Sequence, residues 1–155
     1  MNREIKFRGK GIEEYDKDKW YYGSYLKFNE INYMFFDDGS RSKEIDEKLK
    51  KNIKNKIIFE VQGDFNMKNY IKLADVNPET VGQYTGLHTK NGKEIYEGDI
   101  VKDLEYKIIG KIEYIEYMAG YFLVYGKSKW ISSICEVEVI GNIYEDIELW
   151  GGENE

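Results

Sequence analysis

The residues best suited to chemistry cluster in one stretch, Val81 to Lys102, which reads VGQYTGLHTKNGKEIYEGDIVK. It holds the carboxylates Glu94, Glu97 and Asp99 and the chain's single histidine, His88. Acids this close together could bind a hard divalent cation or divide acid and base roles, as in a metal-dependent hydrolase. A structural explanation competes: an Asp that follows a Gly commonly accepts backbone N–H groups of its own turn. One histidine and one cysteine, Cys135, cannot build a structural zinc site by themselves. His88 reads as a surface residue in a polar hairpin arm, and Cys135 as a small core side chain. No catalytic residue, metal ligand or cofactor is assigned.

Two loop motifs fail on spacing. A Walker loop needs Gly, four residues, then Gly-Lys and a hydroxyl. Here five residues separate Gly86 from Gly92-Lys93, and Glu94 stands where the hydroxyl belongs. The run from Asp16 to Trp20 starts like a calcium loop, but Tyr21 and Lys27 occupy the positions of its glycine and its last glutamate. Asn91-Gly92 instead suits a two-residue type I′ hairpin turn, whose central residues both need φ > 0. Gly98 would then turn the chain into the next strand.

The remaining candidates are basic and aromatic. From Arg41 to Lys56 there are seven basic and three acidic residues. Lys48, Lys50, Lys51 and Lys54 could meet phosphates, while Trp20 and Tyr22 could stack bases. Against this, the net charge is −6, and Trp130 to Glu155 carries seven acids and no Lys or Arg. An acidic chain lacks the basic face that sequence-independent DNA binding requires. A protein partner is therefore preferred to nucleic acid, and a homo-oligomer stays open.

The elements that must position these residues are mostly strands. Aromatic residues make up 15 % of the chain, 14 of them tyrosines, and tyrosine and isoleucine favour strands. Phe7 and its neighbours, Trp20 to Phe28 and Ile31 to Phe36 predict three N-terminal strands. The apolar stripe Ile45, Leu49, Ile53 predicts one helix near residues 43–54, with acids early and lysines late to suit its dipole. KIIFEVQGDFNMKNYIKL predicts a strand, a turn and a strand. The only proline, Pro78, marks a break. From Gly98 to Tyr144, five short β-rich runs at regular spacing predict a small SH3-like barrel. Its expected core is Ile100, Ile112, Tyr114, Phe122, Val124, Val137 and Val139, with Trp150 docked against one end. The expected class is mainly β, or β-rich α+β. The expected domains are an N-terminal β-rich subdomain at 1–77, a barrel region at 78–150 and a disordered tail at 151–155. No apolar run approaches the roughly 18 residues of a membrane span. MNREIKFRGK has no apolar secretory region. The expected location is the cytoplasm.

Three segments together resemble the YopX-like proteins of bacteriophages and prophages of Gram-positive bacteria. They are the stretch from Val81 to Lys102, the ending EVIGNIYEDIEL (Glu138 to Leu149), and the opening REIKFRGK followed by WYYGSY. The resemblance covers most of the chain and is weakest over residues 37–77. It implies an SH3-like barrel in the C-terminal half and a phage or prophage origin, hence a bacterial host cell; with the acidic charge, the expected partner is a host or phage protein. It implies no activity and carries over no functional residue. The reading is a non-enzymatic accessory protein that binds a macromolecule. The alternatives are a nucleic-acid-binding module and a metal-dependent hydrolase.

Overall fold

Among the described residues, eleven strands carry almost all of the regular structure. The computed structural model describes residues 4–29, 47, 49–63, 68–126, 130–134 and 136–150. The strands are β1 (Phe7–Lys10), β2 (Trp20–Asn29), β3 (Ile53–Val61), β4 (Tyr70–Asp75), β5 (Gly82–His88), β6 (Glu94–Tyr96), β7 (Asp99–Asp103), β8 (Ile109–Ile115), β9 (Gly120–Tyr125), β10 (Trp130–Ser132) and β11 (Val137–Asn142). The chain forms two compact units. One comprises residues 8–81; the other comprises residues 1–7 together with 82–155.

In the 8–81 unit the strand order is β4-β3-β2-β1. β2 and β3 pair antiparallel from Ser24↔Ile58 to Asn29↔Ile53, and β3 and β4 from Lys56↔Asp75 to Val61↔Tyr70. Side chains alternate across these ladders. Tyr21, Tyr25, Ile57, Phe59 and Ala74 therefore share one face, and Ile57 on it is fully buried. Tyr21 and Phe59 stack there with ring centroids 5.1 Å apart. The Tyr21 hydroxyl donates to Asp16 Oδ2 at 2.8 Å, which gives that buried carboxylate a partner. Asn77 caps a single 3₁₀ turn, Pro78–Thr80, by accepting the Glu79 N–H, and Pro78 takes a first-turn position that needs no donor.

The helix expected near 43–54 is corrected at its C-terminal end. Residues 49–51 are helical, but Ile53 and Lys54 already belong to β3. They face Asn29 and Phe28 across the ladder. The β-branched, aromatic run that follows gains cross-strand contacts that a short amphipathic helix cannot match in water. Glu47 is also helical; residues 43–46 and 48 of that helix, the expected strand over Ile31–Phe36 and the tail at 151–155 lie outside the described residues.

In the other unit, β5 and β6 form a hairpin and five strands follow in the order β10-β9-β8-β7-β11. All five runs expected after Gly98 are present. Their ladders do not close, since β10 spends its three residues on β9 and no pairing joins it to β11 among the described residues. The register Ile112↔Leu123 fixes which side chains meet. Ile95, Val101, Ile112, Leu123 and Val137 form the central cluster on one face, with Tyr121, Tyr125, Ile134 and Val139 against it. Ile100 and Val124 are buried on the opposite face. Both stand across from Lys111, whose Nζ sits 4.9 Å over the Trp150 ring. Trp150 docks here, after the 3₁₀ turn Ile147–Leu149.

Candidate functional site

The three carboxylates of the Val81–Lys102 stretch are committed to three different places. Glu94 lies on β6 and faces both of its oxygens to Lys6 Nζ, at 2.7 Å each. It also accepts the Tyr96 hydroxyl at 2.6 Å. Burial alone would push its carboxyl up, but the bonds from Lys6 and Tyr96 and the Lys6 charge hold it below the usual value. Asp99, almost fully buried, accepts the Tyr96 N–H on Oδ2 at 2.8 Å. Glu97 is pushed up by burial, against the opposing pull of the Tyr114 and Gln83 backbone N–H groups that bond it. Among the described residues no group of three His, Cys, Asp or Glu side chains could hold a metal ion. The arrangement offers turn closure and an ion pair rather than a convergent set of ligands.

His88 is exposed at the end of β5, opposite Glu94. Its ring meets the Tyr84 hydroxyl, 3.0 Å from Nδ1. Tyr84 packs on Tyr96, its cross-strand partner, at 5.6 Å. Burial, followed by the charges of Glu94 and Glu4, raises the Tyr84 hydroxyl above its ordinary value. Sequence reasoning missed this Lys6–Glu94–Tyr96–Tyr84–His88 chain, because Lys6 is 88 residues from Glu94.

The hairpin tip differs from the expected two-residue turn. Gly92 has φ of 79°, but Asn91 is not left-handed. The Gly92 N–H bonds the Thr89 carbonyl at 2.9 Å, and the Thr89 N–H bonds the Lys93 carbonyl at 2.9 Å. Lys90 and Asn91 therefore turn the chain, and Gly92 adds the left-handed residue of a three-residue loop. Gly98 does turn the chain into β7, with φ of 81°. A Cβ there would press on the Tyr144 ring at 3.1 Å.

That contact ties two motifs together. The Gly98 carbonyl accepts the Ile143 N–H at 2.9 Å. Asn142 and Asp146 then close the next turn: Asn142 Oδ1 accepts the Tyr144 N–H and Asp146 Oδ2 the Asn142 N–H, each at 3.0 Å. The Val81–Lys102 stretch and the VIGNIYED ending are thus two halves of one structural joint. The family model of the YopX protein matches residues 6–150. The chain belongs to the YopX family. No curated protein matches it.

In this YopX-family chain the aromatic and basic candidates fall in the 8–81 unit. Alternation along β2 puts Trp20, Tyr22 and Leu26 on the face opposite Tyr21 and Tyr25, and the ladder adds Lys54, Ile58, Ile71 and Leu73. So Trp20, Tyr22 and Lys54 do share a surface. Lys50 and Lys51 lie in the helical turn before β3, and Lys48 lies outside the described residues. Arg8 sits over the Trp20 ring at 5.0 Å. The face is mixed rather than basic: Tyr22 is 46 % exposed, Ile71 69 % and Leu73 53 %, with Glu60 opposite Ile71. Lys56, also on it, is paired with Asp75. Sequence pattern had marked Ile71 and Leu73 only as strand residues; their exposure follows from β4 being an outer strand.

Clefts open in each unit. One, of about 730 Å³, opens on the other face of the 8–81 sheet, over Tyr21 and Phe59 and between Lys19 and Lys72. Asp16, Glu60 and Asp75 also line it. The second, of about 310 Å³, lies between the 89–93 loop and β11 in the other unit. Lys90 at its edge is paired with Glu136 at 2.6 Å.

Proposed function

We propose that the chain is a non-enzymatic phage or prophage accessory protein that binds another protein through the Tyr22 face of the β2–β3–β4 sheet. The observation that carries this reading is the run of Tyr22, Leu26, Ile71 and Leu73, all exposed on one sheet face. Ile58 stands opposite Leu73 on the same face, and large exposed apolar side chains gathered on one sheet face mark interaction sites. The dispersal of Glu94, Glu97 and Asp99 among separate partners favours a binding role over hydrolysis. The host or phage partner and the bacterial cytoplasm belong to this proposal. So does an SH3-like barrel for β7–β11, which the five-strand order and the two-faced burial support.

The test is cross-linked capture from infected or lysogenic cells with wild type, Leu26→Lys and Tyr22→Ser. A protein enriched by wild type and lost with both variants is the expected result. Capture insensitive to both would sink the reading. A second reading, nucleic-acid binding, is favoured by Trp20, Tyr22 and Lys54 sharing that face. It predicts tight oligonucleotide binding that weakens steeply with salt and is abolished when Lys48, Lys50, Lys51 and Lys54 are all changed to Gln. We expect affinity no better than about 10⁻⁴ M at physiological salt, the weak end of the non-specific range.

A further inference from the structure

We propose that β4 is a dimerisation edge, where it pairs antiparallel with β4 of a second copy of this chain. The Val76 N–H bonds the Asn55 carbonyl. Hydrogen-bonded and open pairs alternate along an antiparallel ladder. With the register Lys56↔Asp75 to Val61↔Tyr70, the backbone groups of Tyr70, Lys72 and Ala74 point into the sheet. Those of Ile71, Leu73 and Asp75 point out of it. The Asp75 carbonyl is taken by the Ile12 N–H. Among the described residues, the outward amides and carbonyls of Ile71 and Leu73 have no partner. β4 lacks proline, and its one charge before Asp75, Lys72, sits two residues from Tyr70 on the cleft-facing side. A bare, apolar strand edge of this kind is a template for another strand.

The composition and the register both point to a second copy as the occupant. Residues 8–81 carry 14 Lys or Arg against 14 Asp or Glu, so the whole net charge of −6 lies outside this unit. Two such units meet without net like-charge repulsion. Two-fold pairing restricts the register to even sums of residue numbers, because opposed residues must share a face. Centring on Leu73 would need the Asp75 carbonyl that Ile12 already occupies. Centring on Lys72 would set that ammonium directly against its own copy, which is destabilising. Centring on Ile71 places Tyr70 opposite Lys72 of the other copy, twice. Lys72 Nζ already lies 5.4 Å over the Tyr70 ring within one chain, so the two side chains are placed for the same cation–π contact across the axis. Ile71 then meets Ile71 on the Tyr22 face. The pairing would join two β2–β3–β4 faces into one continuous surface. In this respect the inference rests on the proposed function, which gives that face its role.

The test measures mass by sedimentation over a concentration series into the high micromolar range, using the full chain. The monomer is 18.4 kDa. A concentration-dependent shift to twice that mass is expected, and it should vanish in Ile71→Pro. Proline removes the outward N–H and leaves the β3 ladder intact. If Ile71→Pro fails to fold, cysteine pairs decide in a Cys135→Ser background. Cα atoms opposed in a hydrogen-bonded pair lie about 5.5 Å apart, within disulfide reach. Ile71→Cys should therefore oxidise to a covalent dimer and Lys72→Cys should not. A monomer at every concentration overturns the proposal, as does cross-linking through Lys72→Cys but not Ile71→Cys. Leu26→Lys separates this from the proposed function, since it should abolish partner capture and leave the dimer mass unchanged.

Discussion

Replacing Glu94 by Gln isolates the ion pair that ties residue 6 to the β5–β6 hairpin. In the wild type both carboxylate oxygens lie 2.7 Å from Lys6 Nζ, and one also accepts the Tyr96 hydroxyl. The glutamine keeps the shape and an acceptor for Tyr96 but loses the charge. A hydrogen bond to a charged group contributes about 1.5–3 kcal/mol. Here the side chains are 23 % and 29 % exposed, so solvent screening trims the effect. The expected loss is about 1–2 kcal/mol at neutral pH. The pH dependence follows from the direction of the shift. Glu94 is held below its ordinary value of 4.5, so the folded state keeps the carboxylate ionised where the unfolded chain would protonate it. Its stabilisation is fully present above that ordinary value and disappears as pH falls through the lower folded value. Urea unfolding of both proteins from neutral pH into the acid range, with hydrogen exchange at the Tyr84 and Tyr96 amides, is the assay. The gap between the two proteins should narrow steadily with acid. A gap that is constant with pH would show that shape, not charge, accounts for the loss. Absence of any gap at neutral pH would refute the argument outright.

Other substitutions test the core, the turn and a buried tyrosine. Leu123→Ala should cost about 2–4 kcal/mol in urea unfolding, because it opens a cavity in the central cluster, whereas Tyr114→Ala, at a position 42 % exposed, should cost about 1 kcal/mol or less. Gly92→Val should cost about 1–2 kcal/mol although a Cβ there meets nothing within 4 Å, since φ of 79° resists a β-branched residue; Gly92→Asn should be close to neutral. Burial, and then the bond to Asp16 and the charge of that carboxylate, push the Tyr21 hydroxyl up to about 12. Tyr25 and Tyr84 are also raised, by burial first; a tyrosinate absorbance titration of Tyr21→Phe should therefore lose one late-ionising tyrosine relative to wild type. The stabilisation from that neutral hydroxyl is complete below the ordinary value of 10.0 and lost as pH rises through about 12, so the stability of wild type relative to Tyr21→Phe should fall across that window.

How far the fold could be read from sequence depended on whether the deciding information was local. Short runs such as GDIVK, GYFLVYG and EVEVIGN became β7, β9 and β11 because their own composition and bounding turns select a strand. Which face each side chain took was not local. The expected core mixed Ile112 with Phe122 and Val124, but Ile112 stands opposite Leu123, so Phe122 and Val124 point the other way. A shift of one residue in register exchanges the two sets, and nothing within β8 or β9 alone fixes it. The helix was overextended for the same reason: Ile53 fits a helical stripe until β2 offers it a ladder partner. The chemistry was legible only as residue types. Glu94, Glu97 and Asp99 look like a cluster along the chain, but a hairpin and a glycine turn send them to Lys6, to backbone amides and into the interior. The same turns give particular glycine, asparagine and aspartate residues of the two signature segments their roles. Gly98 must admit the Tyr144 ring, and Asn142 and Asp146 must satisfy the backbone of the turn that carries it. Those residues are spent on building the joint. The exposed apolar side chains of the β2–β3–β4 sheet, on which the proposed function rests, lie elsewhere, and no local signal marked them as exposed.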